Sequence, residues 1–184
     1  MDLVSAFQEY ISKEGLFSPR DRLLLAVSGG LDSVVLCDLC KRSGYDFVIA
    51  HCNFGLRGAE SQRDEAFVRE LGGRYGCEVV VRHFDTAAYV VERKVSVQVA
   101  ARELRYAWFG ELVAGGVAQH VVTAHQLDDN IETLLMNFFK GTGIAGLRAM
   151  LPKQGLVVRP LLFASREAIR QYASECGLAW VEDS

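Results

Sequence analysis

The feature that most restricts the fold is a set of short apolar runs, each followed by a stretch of helical period. RLLLAVS (22–28), DFVIAHCN (46–53), CEVVVRHFD (77–85) and HVVTAHQ (120–126) lack the polar alternation of a strand with one wet face. Strands apolar on both sides need cover on both sides, as a parallel sheet between helices supplies. Between and after them, residues 32–42, 60–75, 97–113 and 128–140 repeat apolar positions at helical spacing. LVVRPLL (156–162) reads as a fifth strand, and 165–177 as a last helix opened by Ser165 as N-cap. Residues 1–15 form an amphipathic opening helix. The expectation is an α/β, doubly wound, mostly parallel five-stranded sheet with helices on both faces. LAWVED (178–183) reads as one more short strand, and the abrupt stop after it suggests a fragment of a longer chain.

Length and composition set limits. The 184 residues, half of them hydrophobic, suffice for one compact domain over 1–184 and not for two large ones. No apolar run approaches the ~20 residues of a membrane helix, and the N-terminus lacks the basic and apolar blocks of a signal peptide. Five cysteines at irregular spacing do not form a disulfide framework. Together these predict a soluble, cytoplasmic protein with no membrane partner. A net charge of −3 excludes a basic nucleic-acid coat. Charge is uneven, though: Lys140, Arg148, Lys153, Arg159, Arg166 and Arg170 face a single acid, Glu167, over residues 138–170. That patch is read either as phosphate-facing or as a solvated surface.

In a doubly wound sheet, ligands bind beyond the carboxyl ends of the strands. Ser28, His51, Cys52, Asn53 and His125 all fall there. Between the first strand and its helix lies Ser28-Gly29-Gly30-Leu31-Asp32-Ser33. Its glycines let backbone N–H groups approach an anion, its serines add hydroxyls, and the following helix offers its positive end. Asp32 fits such a site once a divalent cation is present to neutralise a polyphosphate. A plain strand-to-helix turn explains the glycines but not two serines and an aspartate together.

This hexapeptide resembles the pyrophosphate loop of the N-type ATP pyrophosphatases, S-G-G-x-D-S. Further blocks follow in order: HCNFGLR (51–57), AARELRY (100–106), TAHQLDDNIET (123–133), GTGIAGLRAM (141–150), RPLL (159–162) and SREAIRQYASECGLAWVEDS (165–184). Together they resemble the tRNA(Ile)-lysidine synthetase family along the whole chain, which departs from that pattern at Phe54, Gln126 and Asn130, where His, His and Gln are usual. The resemblance implies an adenine nucleotide alpha hydrolase-like fold with ATP and Mg²⁺ as cofactors. It also implies ATP-dependent adenylation of C2 of the wobble cytidine in a CAU-anticodon isoleucine tRNA. The ε-amine of free lysine then displaces AMP, leaving lysidine. In such a protein the C-terminal part would grip the tRNA, and the oligomeric state is left open, a homodimer included.

On this reading Ser28, Gly29, Gly30, Leu31, Asp32 and Ser33 hold ATP, with Asp32 also the metal ligand. Arg102 and Arg105 lie three apart on one helix, near Tyr106, and are expected to assist charge development, a solvated face being the plain alternative; His125 is expected to give electrostatic help with the ATP phosphates or the nucleophile, a satisfied structural histidine being its alternative. Asp129 is the first candidate for the lysine ammonium, with Asp128 and Glu132 beside it, although both aspartates also suit helix capping. Arg57, Lys140 and Arg148 are candidates for tRNA phosphates. Two rival readings remain: a tRNA thiolase of the same superfamily, dependent on the Cys37/Cys40 pair, and a nucleotide-binding module without turnover. The cysteine pair lies in an apolar helical stretch, which favours a buried structural role.

Overall fold

A computed structural model describes residues 2–141 and 149–182. The helices are α1 (Leu3–Glu14), α2 (Leu31–Arg42), α3 (Ala59–Tyr75), α4 (Thr86–Arg93), α5 (Val97–Ala114), α6 (Leu127–Phe139) and α7 (Arg166–Glu175). The strands are β1 (Arg22–Ala26), β2 (Asp46–Asn53), β3 (Val79–His83), β4 (His120–Val122), β5 (Lys153–Gln154) and β6 (Val157–Val158). They form one sheet in the order β3-β2-β1-β4-β6-β5. All pairings are parallel except β5 with β6.

The unbroken apolar strands are apolar because both faces are covered. Leu23 and Leu25 of β1 enter one core with Phe7, Val35, Val68 and Ile169, which belong to α1, α2, α3 and α7. Leu24 between them points to a second core with Val48, Trp108, Phe109 and Val121, closed by α5. Period two along the strand thus delivers one residue to each layer. At about 1.5–3 kcal/mol for each fully buried leucine, these positions fix the register Leu24↔Val48 and Leu24↔Val121. Asp38, buried on α2, accepts from Tyr75 Oη at 3.0 Å and Tyr172 Oη at 2.5 Å and so ties α3 and α7 to α2.

The doubly wound plan matches the sequence expectation, with three corrections. The sheet has six strands rather than five, because Lys153–Gln154 folds back on Val157–Val158 around Gly155, which holds φ +60. The expected strand 156–162 stops after two residues, since Pro160 has no N–H to continue the ladder. Residues 178–183 add no strand over the described part to 182; Val181 instead donates its backbone N–H to Gly29 O at 2.9 Å, laying this segment beside the glycine loop. Helix α4 was not read from sequence at all; Asp85 caps it by accepting from Ala88 N.

Beyond β1 the chain moves outward through β2 and β3, then returns to place β4 on the other side of β1. The reversal opens a crevice at the carboxyl ends of β1 and β4, the switch point where such sheets take ligands. Among the described residues no helix is long and apolar enough to cross a membrane.

Candidate active site

A cleft of about 750 Å³ occupies the switch point. Its floor is the turn from β1 into α2. Gly30 is the N-cap of α2 and supplies no side-chain cap, so the first N–H groups of the helix lack the usual internal acceptor. Those donors and the helix dipole create an anion site. Ser28 and Ser33 shape it from within: Ser33 Oγ accepts from Gly29 N at 3.1 Å and donates to Gly30 O, while Ser28 Oγ accepts from Gly30 N. Gly29 sits at φ +98, and a Cβ there would lie 2.9 Å from Val181 Cγ2. Glycine is required twice over, by conformation and by the segment packed against it.

Asp32 lines the cleft. Burial pushes its carboxyl pKa up, Asp129 and Asp128 push it further, and Arg166 and Gln126 oppose the rise. Asp129 also lines the cleft while its Oδ2 accepts from Gln126 N at 3.0 Å, one half of a capping box on α6. Asp128 is turned elsewhere: its Oδ1 accepts from Arg166 N at 3.1 Å, tying the start of α6 to the start of α7. Glu132 is exposed and pairs with Arg166 at 3.5 Å. Of the three candidate lysine ligands, the fold brings Asp129 into the cleft and uses Asp128 as a cap.

His125 faces the cleft three residues past β4, its Nδ1 2.8 Å from Thr123 Oγ1. Burial lowers its pKa, with Arg159, Arg105 and Arg102 adding to the effect against Asp129. A neutral imidazole at neutral pH follows. Arg105 lines the cleft with its guanidinium 5.5 Å from the centre of the Phe54 ring. Arg102 stacks over Tyr106 at 5.1 Å and stands behind the cleft wall rather than in it. Arg57 lies at the rim, on the loop between β2 and α3 whose Gly55 and Gly58 have positive φ. Lys140 is the C-cap of α6 and does not reach the cleft; Arg148 lies outside the described residues. Cys37 and Cys40 are fully buried, and burial raises both thiol pKa values, so neither is a ready nucleophile.

Arg166 and Arg170, one helical turn apart on α7 and members of the patch read as phosphate-facing or solvated, line the cleft. Trp180 and Glu182 from the final segment line it too, and sequence reasoning missed them. The i,i+4 spacing in SREAIR was the available signal; the tertiary path of 178–182 left none. Arg159, a member of the patch read as phosphate-facing or solvated, is 5% exposed and donates through Nη1 to Leu151 O at 2.7 Å.

Among the described residues no three His, Cys, Asp or Glu side chains converge to hold a metal by themselves. Asp32 in the cleft does fit Mg²⁺ of the kind completed by phosphate oxygens and water, which needs only one or two carboxylates.

Comparison with known proteins identifies the family and the fold. The model of the PP-loop domain family matches residues 2–184. The tRNA(Ile)-lysidine synthase of Bacteroides thetaiotaomicron is 47% identical over 175 residues, covering 95% of this chain and 41% of the relative. That of Chlorobaculum tepidum is 40% identical, covering 96% of this chain and 55% of the relative. The chain therefore spans about half or less of the length of these curated relatives. In fold it is similar to the U34-tRNA thiolase NcsA of Methanococcus maripaludis, with TM-score 0.74, 17% identity, and 98% of this chain and 66% of that one covered. It is also similar to the NH3-dependent NAD synthetase of Campylobacter jejuni, with TM-score 0.66, 15% identity, and 97% and 75% covered. With a family model matched from its second residue to its last, the chain belongs to the PP-loop domain family.

Proposed function

We propose that this chain is the adenylating unit of a tRNA(Ile)-lysidine synthetase, a ligase that joins free lysine to C2 of the wobble cytidine in a CAU-anticodon isoleucine tRNA. The observation that carries this reading is the uncapped start of α2, opening into a cleft shared with Asp32, Asp129, His125 and Arg105. An anion site beside carboxylates suits a reaction that releases one polyanion and must bind one cation. The names of the similar proteins supply the substrate class.

In this account the backbone N–H groups of Leu31 and Asp32 and the Ser28 hydroxyl hold the β- and γ-phosphates of ATP, with Gly29, Gly30 and Ser33 shaping the loop around them. Asp32 would hold Mg²⁺, which when bound neutralises the triphosphate. O2 of the cytidine attacks the α-phosphorus, and the bond to the bridging oxygen breaks to release pyrophosphate. Asp129 draws the lysine ammonium into the cleft. Neutral His125 takes a proton from it, and the freed ε-amine attacks C2 as AMP leaves with the C2–O2 bonding pair. Arg105 balances negative charge on the departing phosphate. Arg57 at the rim, with Lys140 and Arg148, remains the proposed contact set for tRNA phosphates. We assign the grip on the tRNA body to the part of the relatives that this chain does not span.

The direct test incubates the full-length protein with Mg-ATP, radiolabelled lysine and the CAU transcript. Label in the RNA is expected, and none when the anticodon cytidine is replaced by uridine. Absence of label with the cognate transcript would overturn the proposal. Transfer of sulfur instead would make it a thiolase, a reading disfavoured by the burial of Cys37 and Cys40.

A further inference from the structure

Gln126 is fully buried, at 0% exposure, immediately behind the cleft wall. It is the N-cap of α6, and its Oε1 accepts from Asp128 N at 2.7 Å. That bond fixes the amide orientation, because only the oxygen can accept. Its Nε2 is then left buried with no hydrogen-bond partner among the described residues. A buried donor with no acceptor is uncommon and calls for a cause. Gln126 does not line the cleft, so a ligand cannot be the missing acceptor directly.

The group beside it is Asp32, whose carboxylate feels the Gln126 amide although Nε2 makes no hydrogen bond in the structure. The Gln126 side chain is one of the few influences that favour the ionised Asp32 carboxylate, against burial and against Asp129 and Asp128. An N–H donor near the carboxylate has that effect. Asp32 itself has no hydrogen-bonded support from the α2 backbone or from the loop serines, whose hydroxyls are engaged with Gly29 and Gly30.

We infer that Gln126 is a positioning residue for Asp32: its unpartnered Nε2 is the donor that holds the Asp32 carboxylate facing the cleft when a Mg-nucleotide binds. One amide then does two things. Its oxygen anchors α6, which carries Asp129, and its nitrogen anchors the carboxylate at the head of α2, so both acids of the cleft are set by one side chain. The inference rests on the ATP-binding reading of the cleft and not on the identity of the nucleophile.

The experiment measures ATP dissociation constants for the full-length protein with Mg²⁺ and with EDTA. Three variants are compared with wild type. Gln126→Asn keeps a good N-cap but shortens the donor's reach by one methylene. Gln126→Met keeps the length and removes the donor. Gln126→His offers one acceptor and one donor, as the amide does. The expected result is a loss of about tenfold or more in Mg-ATP affinity for the Asn and Met variants, with metal-free ATP bound within about twofold of wild type. The His variant should stay within about threefold of wild type under both conditions. Equal losses with and without metal would show a packing role and overturn the inference, as would wild-type Mg-ATP affinity in the Asn variant. Wild type that binds ATP equally well with and without Mg²⁺ would overturn it together with the role of Asp32. Failure of lysine transfer with Mg-dependent ATP binding intact would instead count against the proposed function alone.

Discussion

At the scale of single residues, the cleft sets two titrations in opposite directions. Asp32 has its pKa raised by burial and by Asp129, so its charged form is disfavoured in the fold. A carboxyl whose folded pKa exceeds its unfolded one favours folding at low pH and loses that contribution as pH rises through the folded value. Asp32→Asn is therefore expected to raise the Tm at pH 7–8, while lowering AMP formation about 10²-fold or more. Calorimetry and AMP release check the two halves, and a Tm below wild type would contradict the first. His125 has its pKa lowered, again by burial first. Its contribution to stability is lost as pH falls below the ordinary histidine range. On the proposed mechanism the rate should fall in the same direction, because a neutral imidazole is needed to take the lysine proton. In His125→Ala that acid limb is expected to vanish from the pH profile of kcat, with kcat down about 10²-fold. The loop SGGLDS was legible at this scale because its chemistry is local. The roles of Gln126 and Arg159 were not, because a buried amide or guanidinium is recognisable only from what surrounds it.

At the scale of elements, the start of α6 separates two aspartates that the sequence could not. Asp128 caps α7 through Arg166 N, and Asp129 faces the cleft. Asp129→Asn is expected to raise the lysine KM about tenfold or more with little change in the ATP KM. Asp128→Ala should cost about 1 kcal/mol of stability, the usual worth of a cap, and leave the lysine KM within about threefold. Equal effects of both on lysine KM would contradict this division. The strands β1, β2 and β3 were readable because their residues face two cores. The short β5–β6 hairpin was not, since two-residue strands have no period to detect. Nor was the path of residues 178–182, where Val181 meets the loop through one backbone hydrogen bond. Gly29→Ala tests that contact. With φ +98 and Val181 Cγ2 2.9 Å from the new Cβ, it is expected to cost about 1–2 kcal/mol, read as a lower Tm.

At the scale of the whole molecule, the order β3-β2-β1-β4-β6-β5 matters because it places the loop after β1 and the loop after β4 on either side of one crevice. The uncapped start of α2 and the Asp129 carboxylate then face the same volume. The chain supplies this chemistry with an overall charge of −3, and its described surface leaves the hydrophobic face of α6, including Met136, Phe138 and Phe139, exposed. The doubly wound plan was evident from the alternation of apolar runs and helical stretches, whereas which loops meet is a property of the winding that no single stretch carries. The central claim is that this cleft splits ATP between its α- and β-phosphates for the benefit of a tRNA and an amine. It is tested most directly by identifying the nucleotide products of the full-length protein with Mg-ATP, the CAU transcript and lysine. The account predicts AMP and pyrophosphate in equal amounts, with AMP released in step with lysine joined to RNA. Release of ADP and phosphate, or no turnover with all three substrates present, would contradict it.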